Sequence, residues 1–227
     1  FHFDAEESVI YFSSRHLSRI TKIDYPSGEI IWMIGLPNEF DGSVSEHICT
    51  NLGITWQHNV QLLDNGNILL FDNGNLSSLF GDVNPTTRAL EFKVIDDAYC
   101  EVVWEYDLPN YLYGPWMGSI QKLDNDHYFI NTVGSGGHAI EVGESQNILL
   151  DAHYSLSDNP DDPAGNYRSY KVPSIHPNAY SVIFNNYITD NMEEGIYFSD
   201  NLSILISNQS GYAQYYDYHL FDSEGWF

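Results

Sequence analysis

The 227 residues leave room for one domain of ordinary size or two small ones, and a 43% hydrophobic content suffices for a packed core. Acidic residues outnumber basic ones 32 to 8, for a formal net charge of −24. A surface of that sign repels phosphate backbones, which excludes nucleic acid as a partner and argues against an anionic membrane surface.

The charge suits solubility in a salty or extracellular medium, or calcium binding by loop carboxylates. No apolar run of about 18 residues occurs, so no membrane insertion is expected. Aromatic residues reach 15%, and no long Ala/Glu/Lys/Leu-rich stretch competes with them. Aromatics favour strands, so the fold class is all-β.

Strand signals come in short runs separated by turn residues. The first set is "VIYFSS", "SRITKID", a turn at Pro26-Ser27-Gly28, and "EIIWMIG". The second is "WQHNVQLL", a turn at Asp64-Asn65-Gly66, "NILLFDN", "RALEFKVI", a short acidic turn and "EVVWEYD". The third is "GSIQKLD", a turn at Asn125-Asp126, "HYFINTV", "HAIEV", a turn at Gly143-Glu144-Ser145, and "NILLDAHY". "VQLLDNGNILLF" and "IQKLDNDHYFIN" align at an offset of 60 residues, Asp64-Asn65 falling on Asp124-Asn125. A repeated four-stranded up-and-down sheet is the signature of β-propeller blades. Residues 1–155 make about three blades, the first lacking its opening strand, where a closed propeller typically has about 4–8. The chain begins at Phe1, as if mid-strand, with no visible signal peptide, and reads as a processed or truncated piece of something longer.

Beyond Tyr154 the composition changes. Residues 156–173 are rich in Asp, Pro, Ser and Asn and read as a linker. The run Asp158 to Asn166, "DNPDDPAGN", is the place for calcium, although it lacks a recognisable calcium-loop pattern. Residues 174–227 alternate again and read as a small β-sandwich-like C-terminal module. Cys49 and Cys100 form a single disulfide if the fold brings them together, and are otherwise two buried thiols.

Four positions stand out for chemistry. His58 lies on the first strand of the second set. It is either a satisfied inter-blade histidine or a side chain aimed at the central channel, where a propeller builds its site. His138 follows the glycine turn of "VGSGGHAIEV", which lets the backbone approach closely and leaves the imidazole uncovered, or is simply a turn. Arg88 and Arg15, among only four arginines, are either ion-pair partners in an acidic chain or bidentate clamps on an oxyanion. His16, His47, His153 and His176 lie in varied contexts. No HxH, HExxH or CxxC spacing appears, so a dedicated transition-metal site is not indicated. Walker, GxGxxG and GxSxG motifs are absent, so no cofactor is expected.

From "FSSRHLSRITKIDYPSGEIIWMIG" through "WQHNVQLLDNGNILLFDNGN", "RALEFKV" and "VVWEYD" to "GSIQKLDN", the chain resembles the arylsulfotransferase family. The resemblance runs from about Ser8 to Tyr154 in motif order. It implies a six-bladed propeller that moves a sulfuryl group from an aryl sulfate to a phenol through a transiently sulfated histidine. It places His58 in the Gln-His motif as stabiliser of sulfate or phenolate, and His138 at the nucleophile. The family arginine should follow Phe-Asp-Asn-Gly closely, but Asn75, Leu76 and Ser77 stand there, so Arg88 is carried over as its substitute. The catalytic set is then His138, His58 and Arg88, with Gln57 and Arg15 binding substrate. The implied partners are a small-molecule aryl sulfate and a phenol, with a homo-oligomer or association with a missing N-terminal part. The expected location is extracellular or periplasmic. The alternative is a non-catalytic secreted propeller that binds or scaffolds.

Overall fold

The computed structural model describes residues 1–37, 40, 46–154, 165–172, 180–184, 187–188, 197–198, 203–208, 210, 213, 215–217, 221–222 and 225–226. The chain divides into two compact units, Phe1–Lys171 and Val172–Phe227.

The first unit is all-β and holds three four-stranded antiparallel sheets. The first contains β1 (His2–Asp4), β2 (Val9–Ser14), β3 (Arg19–Asp24) and β4 (Ile30–Ile34). The second contains β5 (His58–Leu62), β6 (Ile68–Asp72), β7 (Arg88–Ile95) and β8 (Tyr99–Asp107). The third contains β9 (Ser119–Lys122), β10 (Tyr128–Thr132), β11 (His138–Val142) and β12 (Ile148–His153). Each sheet runs up and down in chain order, so every turn joins neighbours. The opening strand expected to be missing from the first sheet is present. His2–Asp4 pairs with Val9–Tyr11 as a three-residue edge, too short to show as a strand in the sequence pattern.

The second sheet lies between the other two, and its sequence says why. All five residues of β6 are buried, so the strand reads as an unbroken apolar run. Successive side chains point to opposite faces. Ile68 and Leu70 join the cluster shared with Ile20 and Trp32 of the first sheet. Leu69 and Phe71 join the cluster shared with Ile120 and Ile130 of the third. Truncating fully buried Phe71 to alanine would cost about 3–5 kcal/mol.

Cross-links tie the sheets. Trp32 donates from Nε1 to Asp97 at 2.8 Å. Between the second and third sheets, buried Glu91 accepts from Tyr128 and Asn67, each at 2.6 Å, and from Lys122 at 3.0 Å. Burial works against the Glu91 charge, but the Tyr128, Asn67 and Lys122 donors outweigh it and hold the carboxyl below its ordinary value. Cys49 and Cys100 are disulfide-bonded, with Cα atoms 5.2 Å apart, which settles the open choice.

Residues 165–171, within the stretch read as linker, pack on the third sheet. The Ser169 backbone N–H donates to Ser119 Oγ at 3.2 Å, and the Lys171 N–H to Gln121 Oε1 at 2.9 Å. Most of the calcium candidate run, residues 158–164, lies outside the described residues.

In the second unit, the described strands are β13 (Tyr180–Phe184), β14 (Tyr187–Ile188), β15 (Tyr197–Phe198), β16 (Ile204–Asn208), β17 (Phe221–Asp222) and β18 (Gly225–Trp226). They pair as β13 with β16, β14 with β15, and β17 with β18. A sandwich-like packing of these pairs is not seen among the described residues.

Candidate functional site

The meander order brings one set of turns to one end of the sheets. The end of β2, the start of β5, the β6–β7 and β10–β11 connections and the segment before β9 all lie there. Arg15, Gln57, His58, Arg88 and His138 therefore share an end, although they belong to separate side-chain clusters.

His58 opens β5 between two residues in the left-handed region, Trp56 (φ 57°) and Asn59 (φ 56°). A tryptophan there is uncommon and is held by its surroundings. The Trp56 N–H donates to Ser18 Oγ, and its ring lies under the Arg15 guanidinium, 4.4 Å from centroid to Cζ. His16 meets the same ring edge-on at 5.5 Å. Asn59 sits in a bulge between His58 and Gln61 and accepts the Ile120 N–H at 2.8 Å. Gln57, read as a substrate ligand, is 1% exposed. Its Nε2 donates to Ser13 Oγ and the Arg19 carbonyl, so its amide braces β5 against the first sheet.

The Asp72-Asn73-Gly74 turn after β6 serves two neighbourhoods. Asn73, fully buried, sits 2.7 Å from His58 Nδ1 through its Oδ1. Its Nδ2 lies 2.7 Å from the Gly114 carbonyl and 3.0 Å from that of Met117. The same 114–117 turn receives Arg15, whose Nη2 donates to the Pro115 carbonyl at 2.8 Å. Gly74 has φ 67°, and a Cβ there would collide with the Thr86 carbonyl, which accounts for glycine at the turn.

Burial pushes the His58 imidazole below its ordinary value. The Asn73 hydrogen bond opposes this, and the positive charges of Arg15 and Arg168 add to it. Arg168 lies in the strap over the third sheet, its Cζ 5.3 Å from the Tyr167 ring. That ring stands edge-on to His58 at 6.4 Å. Two of the four arginines of a chain at −24 thus bear on one histidine that also meets the Tyr167 ring. Sequence reasoning missed Arg168. The available signal was an arginine among tyrosines in "GNYRSYK", inside a stretch otherwise acidic.

Arg88 sits in different company. It donates from Nε to Asp72 at 2.9 Å, from Nη1 to Glu105 at 2.6 Å and from Nη2 to the Leu52 carbonyl. Burial works against its charge, but Asp72 and Glu105 outweigh that and hold the guanidinium above its ordinary value. Burial also pushes the Asp72 carboxyl up, in spite of Arg88 and the Thr55 and Gly74 N–H donors. A cavity of about 250 Å³ opens beside Arg88, lined also by Asp82, Glu105 and Asp107. Three carboxylates around one paired cation repel a sulfate ester.

His138 opens β11, behind the Gly134–Gly136 turn. Its Nδ1 lies 2.5 Å from Asp151 Oδ1, its ring stacks on His153 at 4.7 Å, and Tyr111 stands edge-on at 5.9 Å. An ionised carboxylate only accepts, so His138 Nδ1 carries the proton and Nε2 is left without a hydrogen bond among the described residues. Asp151, also absent from the sequence-based set, is thus placed to orient this ring. No group of three or more His, Cys, Asp or Glu side chains suited to a metal occurs among the described residues.

The family model for arylsulfotransferase (ASST) matches residues 1–198. No curated protein matches the chain. A solved structure of a protein of unknown function from Bacteroides caccae is similar over 69% of this chain at 16% sequence identity, with a TM-score of 0.43. The match covers 44% of that protein's chain, so this chain spans less than half of its length.

Proposed function

We infer, since this chain belongs to the arylsulfotransferase family, that it moves a sulfuryl group from an aryl sulfate to a phenol through a sulfo-histidine. The observation that carries the reading is that Arg15 and Arg168 bear on a neutral His58, with the Trp56 ring under Arg15 and the Tyr167 ring edge-on to His58. Guanidinium donors match sulfate oxygens, and the rings suit the aryl part. In an acidic chain this is the local exception an anionic substrate needs.

His138 is the nucleophile in this reading, because Asp151 behind Nδ1 orients the ring, leaves Nε2 to attack and supports the charge the ring gains. Nε2 attacks sulfur, the N–S bond forms, and the aryl O–S bond breaks with its electrons leaving on the phenolate. In the second half, the acceptor phenol gives its proton to His58, its oxygen attacks sulfur, and the N–S bond breaks to restore His138. The proton on His58 then passes to solvent, and the released phenolate takes its proton from solvent. Arg15 and Arg168 hold the sulfuryl oxygens, the part the sequence assigned to Arg88.

The three sheets are blades of a propeller in this reading, and a closed ring of about 4–8 blades takes more than these three. Association with a further blade-bearing part, or with a second copy, supplies them. The disulfide supports an oxidising compartment, extracellular or periplasmic.

The test is a fluorogenic aryl sulfate mixed with the protein and a phenol acceptor. Acceptor-dependent phenol release, with a sulfuryl adduct on His138 by mass spectrometry, is expected, and His138→Asn should abolish both. Full activity in both His138→Asn and His58→Asn sinks the reading. No release from the folded protein leaves the non-catalytic binding scaffold.

A further inference from the structure

We propose that Asn73 is a positioning residue that locks His58 with its proton on Nδ1, so that Nε2 always presents a lone pair to the acceptor phenol. The inference rests on the sulfuryl-transfer reading and deepens it.

One end of the Asn73 side chain lies 2.7 Å from the Gly114 carbonyl and 3.0 Å from the Met117 carbonyl. Carbonyl oxygens only accept, so that end must be the NH₂ group, and both its protons are used. The other end is therefore oxygen, and it lies 2.7 Å from His58 Nδ1. An amide oxygen only accepts, so the ring must donate from Nδ1. Reversing the amide would set its oxygen against two carbonyl oxygens and lose both of those bonds, so the ring meets the amide oxygen. Asn73 is fully buried, so water does not offer an alternative partner cheaply.

The consequence concerns the opposite nitrogen. Apart from the Trp56 backbone, which also bears on the ring, the imidazole has no hydrogen-bond partner but Asn73 among the described residues. Burial, Arg15 and Arg168 disfavour a second proton on the ring, so with Nδ1–H held by Asn73 the neutral form with its lone pair on Nε2 is the resting state of this proposal. Such a ring cannot donate to a sulfate oxygen or a leaving phenolate at rest. It can accept a phenol proton, which makes His58 the general base of the second half-reaction rather than a stabiliser of sulfate. The contrast with His138 follows. A carboxylate stands behind that ring and an amide behind this one, so the attack on sulfur falls to the first, whose gained charge has a counter-ion, and the acceptor proton to the second.

The test is the ring ¹⁵N spectrum of His58 in the full chain, above the pH at which the ring charges, with the resonance assigned by loss in His58→Asn. A pyrrole-like Nδ1 and pyridine-like Nε2 are expected, the reverse of the preference of free histidine. In Asn73→Ala the ring should revert to the Nε2–H form, and kcat should fall on the order of 100-fold with KM little changed, since a wrong tautomer in a catalytic triad costs up to about 10⁴-fold. A wild-type spectrum with the proton on Nε2 overturns the proposal without recourse to a variant. So does an Asn73→Ala protein that keeps the Nδ1–H form. An Nδ1–H spectrum in a protein that releases no phenol supports the lock and overturns the sulfuryl-transfer reading only.

Discussion

Asp72 and Asn73 are neighbours in the chain and feed two corners of the second sheet that work in opposite ways. Around Asp72, the charge of Arg88 is matched by two carboxylates and a carbonyl, and its donors point at protein. Around Asn73, no ion pair to Arg15 or Arg168 is found among the described residues, and His58 is kept neutral beside them. A saturated arginine is part of the frame, whereas one whose charge is left over can meet a ligand. Both corners hold an arginine near a turn, so residue type does not separate them; counter-charge does.

The comparison breaks most visibly at Arg88. Arg88→Ala leaves Asp72, with 2% of its side chain exposed, without a counter-charge, and should cost about 3–5 kcal/mol in urea unfolding. Little loss of stability, with a large loss of sulfate-ester binding, would reverse the roles of the two corners. The frame common to both is closed by the Cys49–Cys100 bond across 51 residues, and its reduction should lower stability by about 2–4 kcal/mol, read as a fall in the urea midpoint.

At the other corner, Arg15→Gln should leave the urea midpoint nearly unchanged and raise KM for an aryl sulfate about ten- to a hundredfold, the worth of one charged hydrogen bond. A drop in stability with KM intact would make Arg15 a frame residue too. The smallest effect is in the pH profile. An imidazole held below the ordinary 6.5 stays neutral as pH falls through that value, so the acid limb of kcat/KM should lie below 6.5. Arg15→Gln removes one of the cations that oppose protonation, so the limb should move upward in pH. A limb that stays in place would show that Arg15 does not act on His58.

The legible part of this protein was the part written locally. Strand and turn alternation marked the meanders and their hairpins, because side chains alternate every residue and turn residues follow from backbone geometry. The Gln-His and Asp-Asn-Gly blocks fall at the start of β5 and at the end of β6. Even there, β1 was missed, since three residues are too few for an alternation to register. The sequence also flagged Arg15 and Arg88 with equal weight, and placed Arg168 in a linker.

What it determined, then, was the all-β class, the repeated sheet and the family. Which side chains are free for chemistry was decided only by tertiary structure. Arg88 is neutralised by a carboxylate 16 residues away, and Arg15 is tethered by a carbonyl 100 residues away. Gln57 turned from ligand to brace because the first sheet closes over it. Charge and hydrogen-bond balance are sums over neighbours in space, and no periodicity along the chain encodes them.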